Sequence, residues 1–332
     1  MTDSGNSAWD RVERYLGGDA LAQLGQKKVA VIGLGSGGGY VALTLAMSGV
    51  GRFVLIDDDH IEAANVVRHV ADLRYVGWPK VAAVADLIRQ RNPHAQVETV
   101  VGRIEGHLAE LAEVDLVVVG VDGELAKYRI NEVCRQKQLP AVYAGVYERG
   151  EGGDVTIIYP DHGPCYACWA MQLREDVAHV EERELANGAV ELDYGMIGED
   201  GTLASEPGLF IHVTRVAAAQ ADMALNELLT GQAIHREMPA NTVILANVAM
   251  EILEGHVVPP YSAQWVNIRR DLSCLVCGNM QEQALSLTLL AGDLIEEVGA
   301  GEEADAAAIE RIEEAHKRKT QPMKSLSNDS AE

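Results

Sequence analysis

Three sets of residues in this chain could do chemistry, and each is recognisable by type and spacing. The first is the run GLGSGGG at 33–39, in which Gly33, Gly35 and Gly38 make G-x-G-x-x-G. Between a strand and a helix, such a run lets backbone N–H groups and a helix N-terminus meet a phosphate, because no side chain stands in the way. Asp57 lies 19 residues beyond Gly38, at the end of the next apolar run, where a carboxylate can bond a ribose hydroxyl. The alternative is a tight turn that needs glycine for steric reasons alone. Loop and acid together indicate a nucleotide but fit NAD and ATP equally, since both present ribose and phosphate.

The second set separates those two. In DDDHIEAANVVRHV, Asn65 and Arg68 fall just past the strand that ends at Asp57, and Lys80 follows in GWPK at the start of a helix. A dinucleotide pyrophosphate is handled largely by the glycine loop. Two further cations and an Asn at the same sheet edge suit a triphosphate, whose charge must be neutralised as pyrophosphate leaves. Each of these residues, taken singly, also reads as a solvated loop residue. Asp122 ends the run DLVVVGVDG on the same edge and could hold Mg²⁺, or could serve as a turn or N-cap residue for the helix that follows.

The third set is sulfur. Cys165 and Cys168 in PCYAC, with Cys274 and Cys277 in CLVCG, supply two Cys-x-x-Cys pairs, the count that a closed tetrahedral structural zinc site needs. With 105 residues between the pairs, the reading is a clamp tying the end of the chain to its middle. A thioredoxin-like dithiol is the alternative, and it would use one pair and leave the other idle. Cys134, in the helical run ELAKYRINEVCRQKQ, reads as buried and inert.

Positioning these residues requires a sheet. KKVAVIGLG and RFVLIDDD are short β-branched runs, and strand, glycine turn, helix and strand within about 30 residues make one βαβ unit. The alternation continues through a helix at 79–93, a strand at 95–102, a helix at 104–114, a strand at 115–123, a helix at 124–138 and a strand at 140–148. The fold class is therefore α/β: a doubly wound, Rossmann-like, mainly parallel sheet. GGDVTIIYP at 152–160 reads as an antiparallel extension, residues 170–205 as a polar crossover insertion, 207–231 as a long apolar helix, and NTVILANV and AQWVNIRRDL as late strands. Residues 1–26 read as an N-terminal helical arm and 291–332 as an acidic helix with a tail.

Composition narrows the partners. Among 332 residues, 27 Lys+Arg stand against 50 Asp+Glu, a net charge of −23, which argues against unassisted binding to nucleic acid or anionic lipid. The 48% hydrophobic and 23% charged content is that of a globular chain. No run of about 18 apolar residues is present and the first residues lack the apolar core of a signal peptide, so a soluble, cytoplasmic protein is expected.

Taken together, GLGSGGG, the stretch ending at Arg68, GWPK, Asp122 and the two cysteine pairs resemble the ubiquitin-activating superfamily, specifically the bacterial MoeB/ThiF/HesA-type adenylyltransferases, over roughly residues 10–280. The resemblance implies an adenylation domain at 27–290, working as a homodimer that uses ATP and Mg²⁺. Such a domain adenylates the C-terminal glycine of a ubiquitin-like or sulfur-carrier protein, or a precursor peptide. It implies that the backbones of Gly33, Gly35, Ser36, Gly37 and Gly38 approach the ATP phosphates and that Asp57 binds the ribose. Asn65, Arg68 and Lys80 would hold the triphosphate, Asp122 would bind Mg²⁺, and Arg14 in RVERY would reach into the partner subunit's site. Two departures stand out: Ser36 occupies a position where the family commonly has glycine, and the crossover at 169–205 holds no cysteine. Family members that pass the activated carboxylate to a thiol usually carry it there. The expectation is therefore a chain that stops at the acyl-adenylate and hands it to a nucleophile on another protein. The readings that compete are an NAD-dependent oxidoreductase, which leaves Asn65, Arg68, Lys80 and the cysteines without work, and a non-catalytic scaffold of the same fold.

Overall fold

A computed structural model describes residues 8–173, 208–253 and 256–278, all within one compact unit. Apolar β-branched runs form the centre of an eight-stranded sheet. Its parallel part comprises β1 (Lys28–Ile32), β2 (Arg52–Asp57), β3 (Gln96–Val101), β4 (Leu116–Val119) and β5 (Ala141–Val146). Three strands then add antiparallel: β6 (Gly152–Ile158), β7 (Thr242–Ala246) and β10 (Ser262–Val266), while β8 (Met250–Leu253) and β9 (His256–Val258) form a separate pair. The spatial order is β10-β7-β6-β5-β4-β1-β2-β3. The chain winds outward from β1 to β3 and then restarts on the other side of β1 with β4. That reversal leaves a crevice at the carboxyl ends of β1 and β4.

Side-chain alternation shows that both faces are covered. Val29 and Val31 of β1, Phe53 and Leu55 of β2 and Val118 of β4 pack on one face with α2 (Gly18–Gln26), α3 (Ser36–Met47), α4 (Lys80–Arg91) and α6 (Phe210–Leu228). Ala30, Ile32, Val54, Ile56 and Val119 point the other way, onto Ile130 and Cys134 of α5 (Glu124–Lys137) and onto Tyr166 and Trp169. Each fully buried Val, Leu, Ile or Phe among them stabilises by about 1.5–3 kcal/mol.

The N-terminal arm divides in two. The helix α1 (Asp10–Leu16) buries no residue, whereas α2 buries Ala20 and Leu24 and its Gln23 donates to the Leu228 carbonyl at 2.8 Å, so residues 18–26 belong to the body. The helix expected at 104–114 is not formed. Short 3-10 turns at Ile104–Gly106 and Leu108–Leu111 stand in its place. Gly106 is a poor helix former and His107 sits at φ −134°, ψ 38°, outside helical geometry, while Ile104, Leu111 and Val114 still reach the core. Of the crossover expected at 170–205, residues 170–173 are helical, and the rest of it, like the acidic segment at 291–332, lies outside the described residues. Among those described, no helix is long and apolar enough to cross a membrane.

Candidate functional site

The glycine run turns the corner between β1 and α3. Gly33 adopts φ +85°, and a Cβ there would sit 2.7 Å from the Gly120 carbonyl carbon. A Cβ on Gly38 would collide with the Gly33 carbonyl oxygen, and one on Gly120 would lie 2.9 Å from the Gly38 Cα. The ends of β1 and β4 and the first turn of α3 therefore meet backbone to backbone, which only glycine permits. The helix starts at Ser36 with Gly35 as its N-cap and no capping side chain, so the amides of its first turn are left for a ligand. Ser36 lies in that first turn, where its N–H rather than its hydroxyl is the useful group. The helix α6 flanks the turn: a Cβ added to Gly37 would come to about van der Waals distance from Val213 and Ala217.

Asp57 ends β2 and is buried. Its Oδ2 accepts the Leu34 N–H at 2.6 Å and its Oδ1 accepts the Asp59 N–H at 2.8 Å. The carboxylate thus ties the glycine run to the end of β2. Lys80 opens α4, and its Nζ reaches Asp59 Oδ2 at 2.7 Å with the side chain 13% exposed. Its backbone N–H also donates to the Asp59 carbonyl at 2.9 Å, and His60 bridges Pro79, so segments 59–61 and 77–80 are buckled together. Arg103 pairs with Asp58 at 2.8 Å and, chiefly through that hydrogen bond, holds its carboxyl below the ordinary value.

Asn65 and Arg68 share the 3-10 helix Ala63–Arg68. The Asn65 Oδ1 accepts the Glu62 N–H at 3.1 Å, a reciprocal cap that leaves the amide donor Nδ2 for other work. Arg68 makes no ion pair among the described residues. Asp122 is exposed two residues beyond Gly120, and the N-cap of α5 is Gly123 with no capping side chain, so Asp122 is not the cap residue that its position allows. Its carboxylate is left at the crevice and fits a hard cation such as Mg²⁺. Arg14 is the exception in this group. It lies on α1, 70% exposed, with its guanidinium bonded to Asp10 at 2.7 Å, and it joins none of the other site residues within this chain.

Two residues escape a reading by motif. Gln220 of α6 donates from Nε2 to the carbonyls of Val119 and Val142, 2.9 Å each, and so ties α6 to β4 and β5. His69, buried beside Arg68, contacts Leu34 in the glycine run. Only its place in the run ending NVVRH gives a signal, and that signal carries no chemistry.

The four cysteines converge, as the spacing predicts. All are buried, with Sγ atoms 3.9 Å apart for Cys165 and Cys168, 3.7 Å for Cys165 and Cys274, and 3.3 Å for Cys168 and Cys277. A tetrahedron with metal–sulfur arms of about 2.3 Å has edges of about 3.8 Å, so the cluster is compatible with zinc. The Asp271 N–H points at Cys168 Sγ from 3.4 Å, and the Arg270 side chain bonds the Cys277 carbonyl. Burial holds the Cys165 and Cys168 thiols above their ordinary value, Cys168 at about 11. Without a cation to stabilise thiolates, those two sulfurs stay protonated at neutral pH. Four sulfurs close the coordination sphere, which makes such a site structural.

The model of the ThiF family matches residues 10–295, which takes in the glycine turn, Asp57, Asp122 and all four clustered cysteines. The chain belongs to the ThiF family. Among curated proteins it is similar to the SAMP-activating enzyme E1 of Haloferax volcanii, 35% identical over 167 residues, or 48% of this chain and 61% of that protein. It is also similar to ubiquitin-like modifier-activating enzyme 5 of Caenorhabditis elegans, 32% identical over 157 residues, 43% of this chain and 37% of that one. The matched regions thus span less than two thirds of these relatives' lengths. Among solved structures, E. coli MccB with ATP shares the fold with a TM-score of 0.57 at 21% identity, covering 84% of this chain and 76% of MccB. PaaA does likewise, with a TM-score of 0.55 at 20% identity over 81% of this chain and 78% of that one.

Proposed function

We propose that this ThiF-family chain is an ATP-dependent adenylyltransferase. Its substrate is the C-terminal carboxylate of a small ubiquitin-like or sulfur-carrier protein, or of a precursor peptide. The observation that carries the reading is the crevice at β1 and β4. The ends of β1 and β4 and the first turn of α3 meet there around a glycine turn with free helix amides, and the Arg68 and Asp122 side chains make no ion pair among the described residues. The names of the relatives, activating enzymes for small modifier proteins, point the same way.

In the reaction a carboxylate oxygen bonds to the α-phosphorus and the bond from that phosphorus to the bridging oxygen breaks, releasing pyrophosphate. No proton has to be moved, so positioning and charge neutralisation carry the rate. The amides of Gly35, Ser36 and Gly37 would cradle phosphate oxygens, Asp57 would take the ribose, and Asn65, Arg68 and Lys80 would hold the triphosphate. Lys80 would exchange its Asp59 contact for a phosphate, and Asp122 would hold Mg²⁺, which supplies charge neutralisation when bound. Arg14, turned outward on α1, fits a role in the site of a second copy, so the working form is a homodimer. A dinucleotide oxidoreductase gives Arg68 and Asp122 no role.

All five cysteines are buried, and burial pushes the Cys134 thiol up to about 12. The burial of all five, four of them within the sulfur cluster, supports a reaction that ends at the acyl-adenylate, with the nucleophile supplied by a downstream acceptor protein. ATP–pyrophosphate exchange with candidate carriers is the test. Carrier-dependent exchange is expected, falling at least a hundredfold in R68A and D122A with the circular dichroism unchanged. Wild-type exchange in either variant removes the site assignment, and silence with every carrier removes the adenylyltransferase reading.

A further inference from the structure

Both polar groups of Leu34, in the glycine run, are held by side chains from other segments, and the one that holds its carbonyl is His69. His69 Nε2 lies 2.8 Å from that carbonyl, while His69 Nδ1 lies 2.9 Å from the backbone nitrogen of Ala71. An amide nitrogen can only donate, so Nδ1 is the acceptor, and the hydrogen of the neutral ring sits on Nε2 and is given to Leu34. The ring is 7% exposed, and α3 closes on it so tightly that a Cβ on Gly39 would lie 3.3 Å from Nε2. The N–H of the same Leu34 is held from the opposite side by Asp57.

A trans peptide points its C=O and N–H in opposite directions. Holding the Leu34 carbonyl toward His69 therefore turns the Gly35 N–H away from the imidazole, toward the open side of the turn. Because His69 directly follows Arg68, the same ring also anchors the segment that presents the guanidinium. We propose that His69 is a positioning residue of the nucleotide site, a neutral imidazole that locks the Leu34–Gly35 peptide so that the Gly35 N–H faces the phosphates and Arg68 is registered against them. This rests on the nucleotide reading above. His69 itself touches neither substrate nor reacting atoms.

The two ring nitrogens can be tested separately. A glutamine at 69 can carry its Nε2 to the position of the imidazole Nε2 and keep the Leu34 hydrogen bond, whereas an asparagine, shorter by one methylene, keeps only the Ala71 acceptor. ATP binding to the full chain, measured by calorimetry, is expected to stay within about twofold in H69Q and to weaken about tenfold in H69N, the loss of one hydrogen bond in a site that depends on it. Both variants should retain the wild-type circular dichroism. Long-range ¹⁵N–¹H spectra of the wild-type chain are expected to show the Nε2-protonated tautomer. This last measurement needs no nucleotide and remains decisive even where the Asn variant does not fold. An Nδ1-protonated ring, or wild-type affinity in H69N, overturns the positioning role and leaves the nucleotide reading intact. A wild-type chain that shows the expected tautomer and binds no ATP overturns the nucleotide reading, and the proposal falls with it.

Discussion

Below pH about 6.5 the unfolded chain takes up a proton on His69 that the folded chain resists. Burial is the main reason, and the charge of Lys80 adds to it, against the opposing pull of the Leu34 carbonyl and of Asp57. The folded-state value is therefore below the ordinary one. The unfolded state binds more protons in that window, so stability is complete above about 6.5 and declines as pH falls toward the folded-state value, by at most about 1.4 kcal/mol per pH unit. Urea unfolding from pH 7.5 to 5.5 should show this loss in the wild type and a shallower slope in H69Q. Equal slopes would show that His69 is not the group responsible. The same residue shows where single-residue reading stops. Gly33, Gly38 and Asp57 are legible because their roles follow from local spacing within one βαβ unit. His69 acts on a residue 35 positions away, and no local pattern marks that contact.

At the level of elements, the legible parts are those whose burial is extreme. The strands β1, β2 and β4 read as continuous apolar runs because both sheet faces are covered, and α6 reads as a long apolar helix because it lies across one of them. The segment 104–114 misleads because its apolar residues fall near helical spacing while Gly106 and His107 break the backbone; the core takes the side chains without the helix. The start of α3 shows a different limit: Ser36, Gly37 and Gly38 read as loop by composition, but tertiary contact with β4 fixes them as the first helical turn. A sharp outcome follows for G38A. In an isolated helix, alanine would be the better residue. Here its methyl group meets the Gly33 carbonyl, so the helix must lift away from β1. The variant is expected to lose roughly 3 kcal/mol or more of stability, read as a lowered melting temperature, together with ATP affinity. A melting temperature at or above wild type would contradict the packing described here.

For the molecule as a whole, 50 acidic residues outnumber 27 basic ones, so the proposed site would set Arg68 and Lys80 as cations in an acidic protein. The cysteine pairs are legible by count and spacing, and the three strands that bring them together read as strands too, whereas the order in which β6, β7 and β10 pair is set by tertiary contact. Metal analysis of the purified chain is expected to give one zinc per chain. A strong chelator should lower the melting temperature by roughly 5–10 °C, and C274S should reproduce that shift and be insensitive to chelator. A metal-free chain with an unchanged melting temperature would remove the zinc assignment. The position of the two pairs also bears on how the chain reaches its final state. One pair follows β6 and the other follows β10, so the four sulfurs come together only after β6, β7 and β10 have paired in order along one side of the sheet. If the four sulfurs bind zinc, capture of the metal is expected late in folding, and the rate at which they take up an added cation would time the completion of the antiparallel edge.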